Sequence, residues 1–160
     1  MKLFDLIEKV FHFAVDGLFA GLPQSKPGEA ALRRCRIVSH RGEHDNRRVR
    51  ENTLAAFRTV AAAEIWGVEF DLRWTRDLHP VVIHDPQTGR VFDIDLVVAD
   101  VSLQQLRQQI PEIPTLEEVV FEFGGKMHLM VELKRDSLNR DDIKAARLAE
   151  IFAGLRAEYD

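Results

Sequence analysis

Four apolar runs between Ile37 and Lys134 end in side chains that ionise or bind metal: His40-Arg41, Glu69-x-Asp71, His84-Asp85 and Glu132-x-Lys134. Over residues 67–72 the two-residue period of a strand sets Glu69 and Asp71 on one face and Val68, Phe70 and Leu72 on the other. Residues 128–134 repeat the pattern, with Leu129, Val131 and Leu133 assigned to a helix-facing side and Met130, Glu132 and Lys134 to the opposite side. The interior of a parallel barrel is filled with branched apolar groups, and polar residues gather at the mouth where the strands end. The four clusters therefore predict one site at the C-terminal ends of neighbouring strands.

Helical signals separate these runs. Asn52 is read as the cap of a helix carrying Leu54, Phe57, Ala61 and Ile65, ended by Gly67. Ser102-x-x-Gln105 and Thr115-x-x-Glu118 are capping boxes that open two more helices, stopped by Pro111 and by Gly124-Gly125. A last helix is expected over residues 141–155, with Ile143, Leu148, Ile151 and Leu155 as its core stripe. The order β, α, β, β, α, α, β, α predicts an α/β fold with a parallel sheet. The connection over residues 86–100 reads as a lid or a small insertion. Residues 1–29 form an amphipathic N-terminal helix and a linker, and residues 30–160 the domain proper.

At 160 residues, 46% hydrophobic and 30% charged, the chain is long enough for one globular domain. A net charge of -4 argues against a nucleic-acid binder, whose affinity comes from neutralising phosphates. The single cysteine, Cys35, excludes an internal disulfide and is expected to be a buried structural thiol. No apolar run reaches the length of a membrane span or a signal peptide, which predicts a cytoplasmic chain. The helix over residues 1–22 is expected to pack on the domain. Membrane contact through it is possible but not favoured, because its polar face is poor in basic residues.

His40-Arg41-Gly42, Glu51-Asn52-Thr53 with Ala56-Phe57, Gly67-Val-Glu69-Phe-Asp71-x-x-x-Thr75-x-Asp77, Val81-Val-Ile-His84-Asp85, Ile113-Pro-Thr-Leu-Glu-Glu118 and Val131-Glu132-Leu-Lys134 follow one another along the chain. In this order they resemble the glycerophosphodiester phosphodiesterase family. The resemblance implies a TIM-type (β/α) barrel that cleaves glycerophosphodiesters, such as deacylated phospholipids, to glycerol 3-phosphate and an alcohol. About four strands are legible where such a barrel has eight, so the chain is expected to hold the first half of the barrel. A truncated barrel is the favoured expectation, and a homodimer formed by pairing two half-barrels edge to edge is the other.

The residues support that chemistry directly. Glu69, Asp71 and Glu132 offer hard oxygen ligands suited to one divalent cation, Ca2+ or Mg2+, and no zinc-type Cys or His spacing is present. The bland alternative is a buried salt-bridge cluster with Lys134 and Arg73, disfavoured because uncompensated buried acids are costly. His40 and His84 are read as the acid and base on either side of the scissile phosphodiester. Arg41 is the candidate phosphate clamp and Lys134 a point charge beside it. Glu51 either orients Arg41 or a ligand water, or starts the helix. His44, Arg47, Arg48 and Arg50 are expected to face solvent, and His12, His79 and His128 are assigned no role. Two further functions stay open: a related phospholipase acting on intact lipid head groups, and a non-catalytic half-barrel that binds phosphate and metal.

Overall fold

The computed structural model describes residues 11, 13, 15, 17, 18, 20, 21, 26–136, 138–153 and 155. It divides into two compact units, Met1–Cys35 and Arg36–Asp160. In the first, the described residues between 11 and 21 are helical, and Phe11, Phe13 and Leu18 are exposed. The first ten residues of the expected amphipathic helix and linker residues 23–25 lie outside the described residues. A short helix α1 (Glu29–Arg33) follows. Cys35 is free and exposed, not buried: its amide closes the end of α1 on the Leu32 carbonyl, three residues before the first strand begins.

The second unit runs β1 (Val38–His40), α2 (Leu54–Ala62), β2 (Gly67–Trp74), β3 (Pro80–Val82), a 3-10 turn (Val98–Asp100), α3 (Leu103–Gln109), α4 (Leu116–Phe123), β4 (His128–Leu133) and α5 (Asp141–Phe152). β2 is the centre of the sheet, with β1 and β4 parallel to it on either side. This is half of a TIM-type barrel wall. One strand departs from the parallel expectation, since β3 runs antiparallel to the end of β2, Leu72 opposite Val82. The short link between β2 and β3 permits a hairpin only, because a parallel crossover needs a dozen residues or more. Leu72 also faces Leu133 of β4, so β3 extends the edge that β1 leaves.

Alternation along β2 buries Val68, Phe70 and Leu72 against α2 and α4. There Phe57 packs on Phe70 at 5.6 Å and edge-on to Phe123 at 5.9 Å between ring centroids. Both capping boxes form, on Ser102 and Thr115. α2 is capped by Thr53, whose side chain accepts from the Ala56 amide, and not by Asn52. α2 ends at Ala62, while Gly67 instead opens β2, where a Cβ would come within 2.8 Å of the His128 carbonyl. The connection over residues 86–100 is a packed insertion and no lid. Phe92 and Val98 enter a second core with Val81, Ile83, Leu106, Ile110 and Ile113. On β4, Leu129 and Val131 meet the main core, but Leu133, expected to face helices, is 58% exposed at the open sheet edge. Among the described residues no helix is long and apolar enough to cross a membrane.

Candidate active site

Register assembles the acids. Glu69 and Asp71 share the face of β2 opposite the core; His40 of β1 is the cross-strand neighbour of Glu69, and Glu132 of β4 that of Asp71. Carboxylate oxygens of Glu69, Asp71 and Glu132 consequently lie within 4.8 Å of one another. Lys134, whose amide continues the ladder onto the Leu72 carbonyl, brings its Nζ to 3.0 Å from Asp71 Oδ1 and 2.5 Å from Glu132 Oε1.

Asp71 is fully buried. Its Oδ2 accepts from Asn52 Nδ2 at 2.9 Å and lies 3.2 Å from Arg41 Nε. Burial alone would raise its pKa, but the Asn52 amide, Lys134 and Arg41 outweigh burial and hold it below the ordinary carboxylate value. Glu69 goes the other way. Burial and then the charges of Asp71 and Glu132 raise its pKa, with His40 Nε2 at 3.8 Å only partly opposing them.

These acids fit a hard cation. One lysine and an arginine shared with another acid do not neutralise three carboxylates, and Glu69 Oε2 is buried with no hydrogen-bond partner. The bland salt-bridge reading also assigned Arg73 to the acids. Arg73 instead donates to backbone, through Nε to the His84 carbonyl at 2.7 Å and through Nη1 to the Arg135 carbonyl at 3.2 Å. It thereby ties the segment after β3 to the end of β4.

Arg41 and Gly42 turn the chain out of β1 with φ of 59° and 81°. A Cβ on Gly42 would sit 2.7 Å from Ala56 Cβ, so only glycine fits that contact with α2. Behind the turn, Glu51 takes the role of orienting Arg41 rather than starting a helix: Oε1 accepts from Arg41 Nη1 at 3.0 Å and Oε2 from Asn46 Nδ2 at 2.8 Å. Burial opposes its ionisation, yet Arg90, Asn46 and Arg41 lower its pKa to about 2. Arg41 Nε is buried and turned to Asp71 Oδ2 at 3.2 Å, so the guanidinium bridges the two acids Glu51 and Asp71.

His40 is 69% exposed beside Glu69. His84 follows Ile83, whose amide donates to the Asp71 carbonyl, so it leaves β3 at the end of the sheet where the acids stand. Its Nδ1 lies 2.6 Å from Asp85 Oδ1. Of the polar loop, Arg47 and Arg48 are exposed, but Arg50 is half-buried, donating to the Val91 carbonyl at 3.0 Å and Glu112 at 2.6 Å. Asn52 and Arg90 are the residues the sequence reading missed. Two adjacent cap-forming residues, Asn52 and Thr53, left one free for another task, which is a usable signal; Arg90 carried none.

The profile of the glycerophosphoryl diester phosphodiesterase family matches residues 40–151. A glycerophosphodiester phosphodiesterase of Caldanaerobacter subterraneus is 33% identical over 109 residues, covering 61% of this chain and 44% of the relative. Human glycerophosphodiester phosphodiesterase 1 is 34% identical over 135 residues, covering 76% and 38%. The chain thus spans less than half the length of these relatives. Among solved structures, the glycerophosphodiester phosphodiesterase of Thermotoga maritima superposes with a TM-score of 0.63 at 30% identity, over 75% of this chain and 50% of that one. An Oleispira antarctica phosphodiesterase in complex with its product sn-glycerol-3-phosphate gives 0.63 at 27% identity, over 81% and 56%.

Proposed function

The chain belongs to the glycerophosphoryl diester phosphodiesterase family, and on that footing we propose that it carries the catalytic wall of an enzyme hydrolysing glycerophosphodiesters to sn-glycerol 3-phosphate and an alcohol. The observation behind this reading is the cluster of Glu69, Asp71 and Glu132 oxygens within 4.8 Å, flanked by Arg41 and Lys134. The three acids would hold one Ca2+ or Mg2+, which supplies positive charge against the phosphoryl oxygens. Arg41 forks onto two of those oxygens and Lys134 adds a point charge.

Proton transfer falls to the histidines. Although burial opposes it, Arg90 and His84 hold the Asp85 pKa below its ordinary value, so Asp85 is an ionised acceptor and His84 Nδ1 the donor. In the neutral ring so oriented the lone pair lies on Nε2, which suits His84 to take the proton from the attacking hydroxyl. His40 then gives a proton to the departing alcohol oxygen as its bond to phosphorus breaks and the new one forms. The nucleophile is water or the substrate's own glycerol hydroxyl; in the second case a cyclic phosphate forms and water opens it, with the two histidines exchanging roles. The product held by the Oleispira antarctica neighbour supports this product assignment.

Release of sn-glycerol 3-phosphate from glycerophosphocholine, with Ca2+, Mg2+ or chelator, tests the reading. Release of head group from diacyl lipid alone selects the phospholipase alternative. Metal and phosphate binding without turnover selects a non-catalytic half-barrel.

A second reading rests on the open edge of β4, where Met130 and Leu133 are 45% and 58% exposed. Two copies pairing β4 with β1 would close a wall around the site. Light scattering on the purified chain tests this, and a monomer at all concentrations rejects it.

A further inference from the structure

Arg90 belongs to the packed insertion, yet it touches both halves of the proposed machinery. Its Nη2 and Nη1 donate to Glu51 Oε1 and Oε2 at 2.6 and 3.2 Å, and its Nε donates to Asp85 Oδ2. Glu51, only 4% exposed, holds Arg41 with Oε1; Asp85 holds His84 with Oδ1. One planar fork therefore joins the acid behind the phosphate clamp to the acid behind the histidine.

We infer that Arg90 is a positioning residue that sets the orientation of Arg41 and of His84 together, through Glu51 and Asp85. The inference rests on the roles proposed above for those two residues. Its physical basis is which oxygens Arg90 occupies. On Asp85 it takes Oδ2, leaving Oδ1 to fix the His84 ring. On Glu51 it engages both oxygens, so Glu51 holds Arg41 through Nη1 alone and Arg41 Nε faces Asp71 Oδ2 at 3.2 Å. Without Arg90, the only guanidinium left on buried Glu51 is that of Arg41, and Oε2, left with Asn46 Nδ2 alone, has room to draw Arg41 into a two-pronged contact. Arg41 would then turn its fork away from the site, and Asp85 would lose the second anchor that stops it rotating. A lysine cannot replace this, since a single point charge does not bridge two carboxylates. Arg90 is 46% exposed, so shortening it opens no core cavity.

The test compares wild type, Arg90→Gln and Arg90→Lys in the full chain. Melting should stay cooperative but at a lowered temperature, since buried Glu51 loses its leading partner, while calorimetric Ca2+ affinity is expected to stay close to wild type, because Glu69, Asp71 and Glu132 do not touch Arg90. Affinity for sn-glycerol 3-phosphate in saturating Ca2+ should fall about tenfold or more in both variants, the scale seen when an outer-shell partner is lost. Nitrogen-15 NMR of the neutral His84 ring should change from one Nδ1-protonated tautomer to a mixture. Wild-type anion affinity together with an unchanged tautomer in either variant overturns the inference, and loss of cooperative melting in both makes Arg90 a structural residue and also overturns it. If the wild type itself fails to bind sn-glycerol 3-phosphate, the proposed function fails, while the His84 tautomer still decides whether Arg90 fixes that ring.

Discussion

Asn52, held at a φ of 58° in the turn before α2, donates Nδ2 to Asp71 Oδ2 across 2.9 Å and so anchors the one fully buried acid of the cluster. Asparagine is among the few residues that adopt this backbone region readily, and it carries the amide donor the carboxylate needs. Asn52→Ala loses both. It should destabilise the protein by about 1–3 kcal/mol, because the buried Asp71 Oδ2 is left with Arg41 Nε alone, plus strain at positive φ. Asn52→Gly relieves the strain and keeps the loss of the donor. Urea unfolding of the two variants separates the contributions, and wild-type stability in the glycine variant would show that Asp71 does not depend on this bond.

Removing any one of the three acids should abolish tight binding of a divalent cation. A hard cation loses affinity steeply with ligand charge, so calorimetry on Glu69→Ala, Asp71→Ala and Glu132→Ala is decisive. Unchanged affinity in two of them would discard the metal assignment.

His40→Ala and His84→Ala should each slow glycerophosphodiester hydrolysis by roughly 10²–10⁴-fold, the usual contribution of a positioned acid or base, with cation affinity intact. Near wild-type turnover in either variant removes that histidine from the mechanism. Should the wild type lack turnover, the pair has no catalytic role in this chain.

Acid should weaken the fold through Glu51. Its pKa falls from an ordinary 4.5 to about 2 on folding, burial opposing and Arg90, Asn46 and Arg41 prevailing. A depressed carboxylate pKa contributes stability that is complete above the unfolded value and lost as pH falls through the folded one. The loss should therefore run from about pH 4.5 to about pH 2 and amount to on the order of 3 kcal/mol. Glu51→Gln, less stable at neutral pH, should show a flatter acid limb; an equally steep limb would locate the acid sensitivity elsewhere.

Much of the site was legible along the chain because its rules are short-ranged. The two-residue period of β2 sets Glu69 and Asp71 on one face whatever the rest of the molecule does, and Ser102 and Thr115 cap their helices with partners three residues on. The motif order sufficed to indicate the family and the barrel. What joined these pieces lay in the tertiary structure. Register, fixed by parallel pairing on both edges of β2, put His40 beside Glu69 and Glu132 beside Asp71. The hairpin turned β3 back along β2, and the path of α1 left Cys35 in solvent. Asn52 reaches Asp71 over 19 residues and Arg90 reaches Glu51 over 39. Such contacts have no period and no local cap to announce them; they exist because two loops are packed against the same end of one sheet.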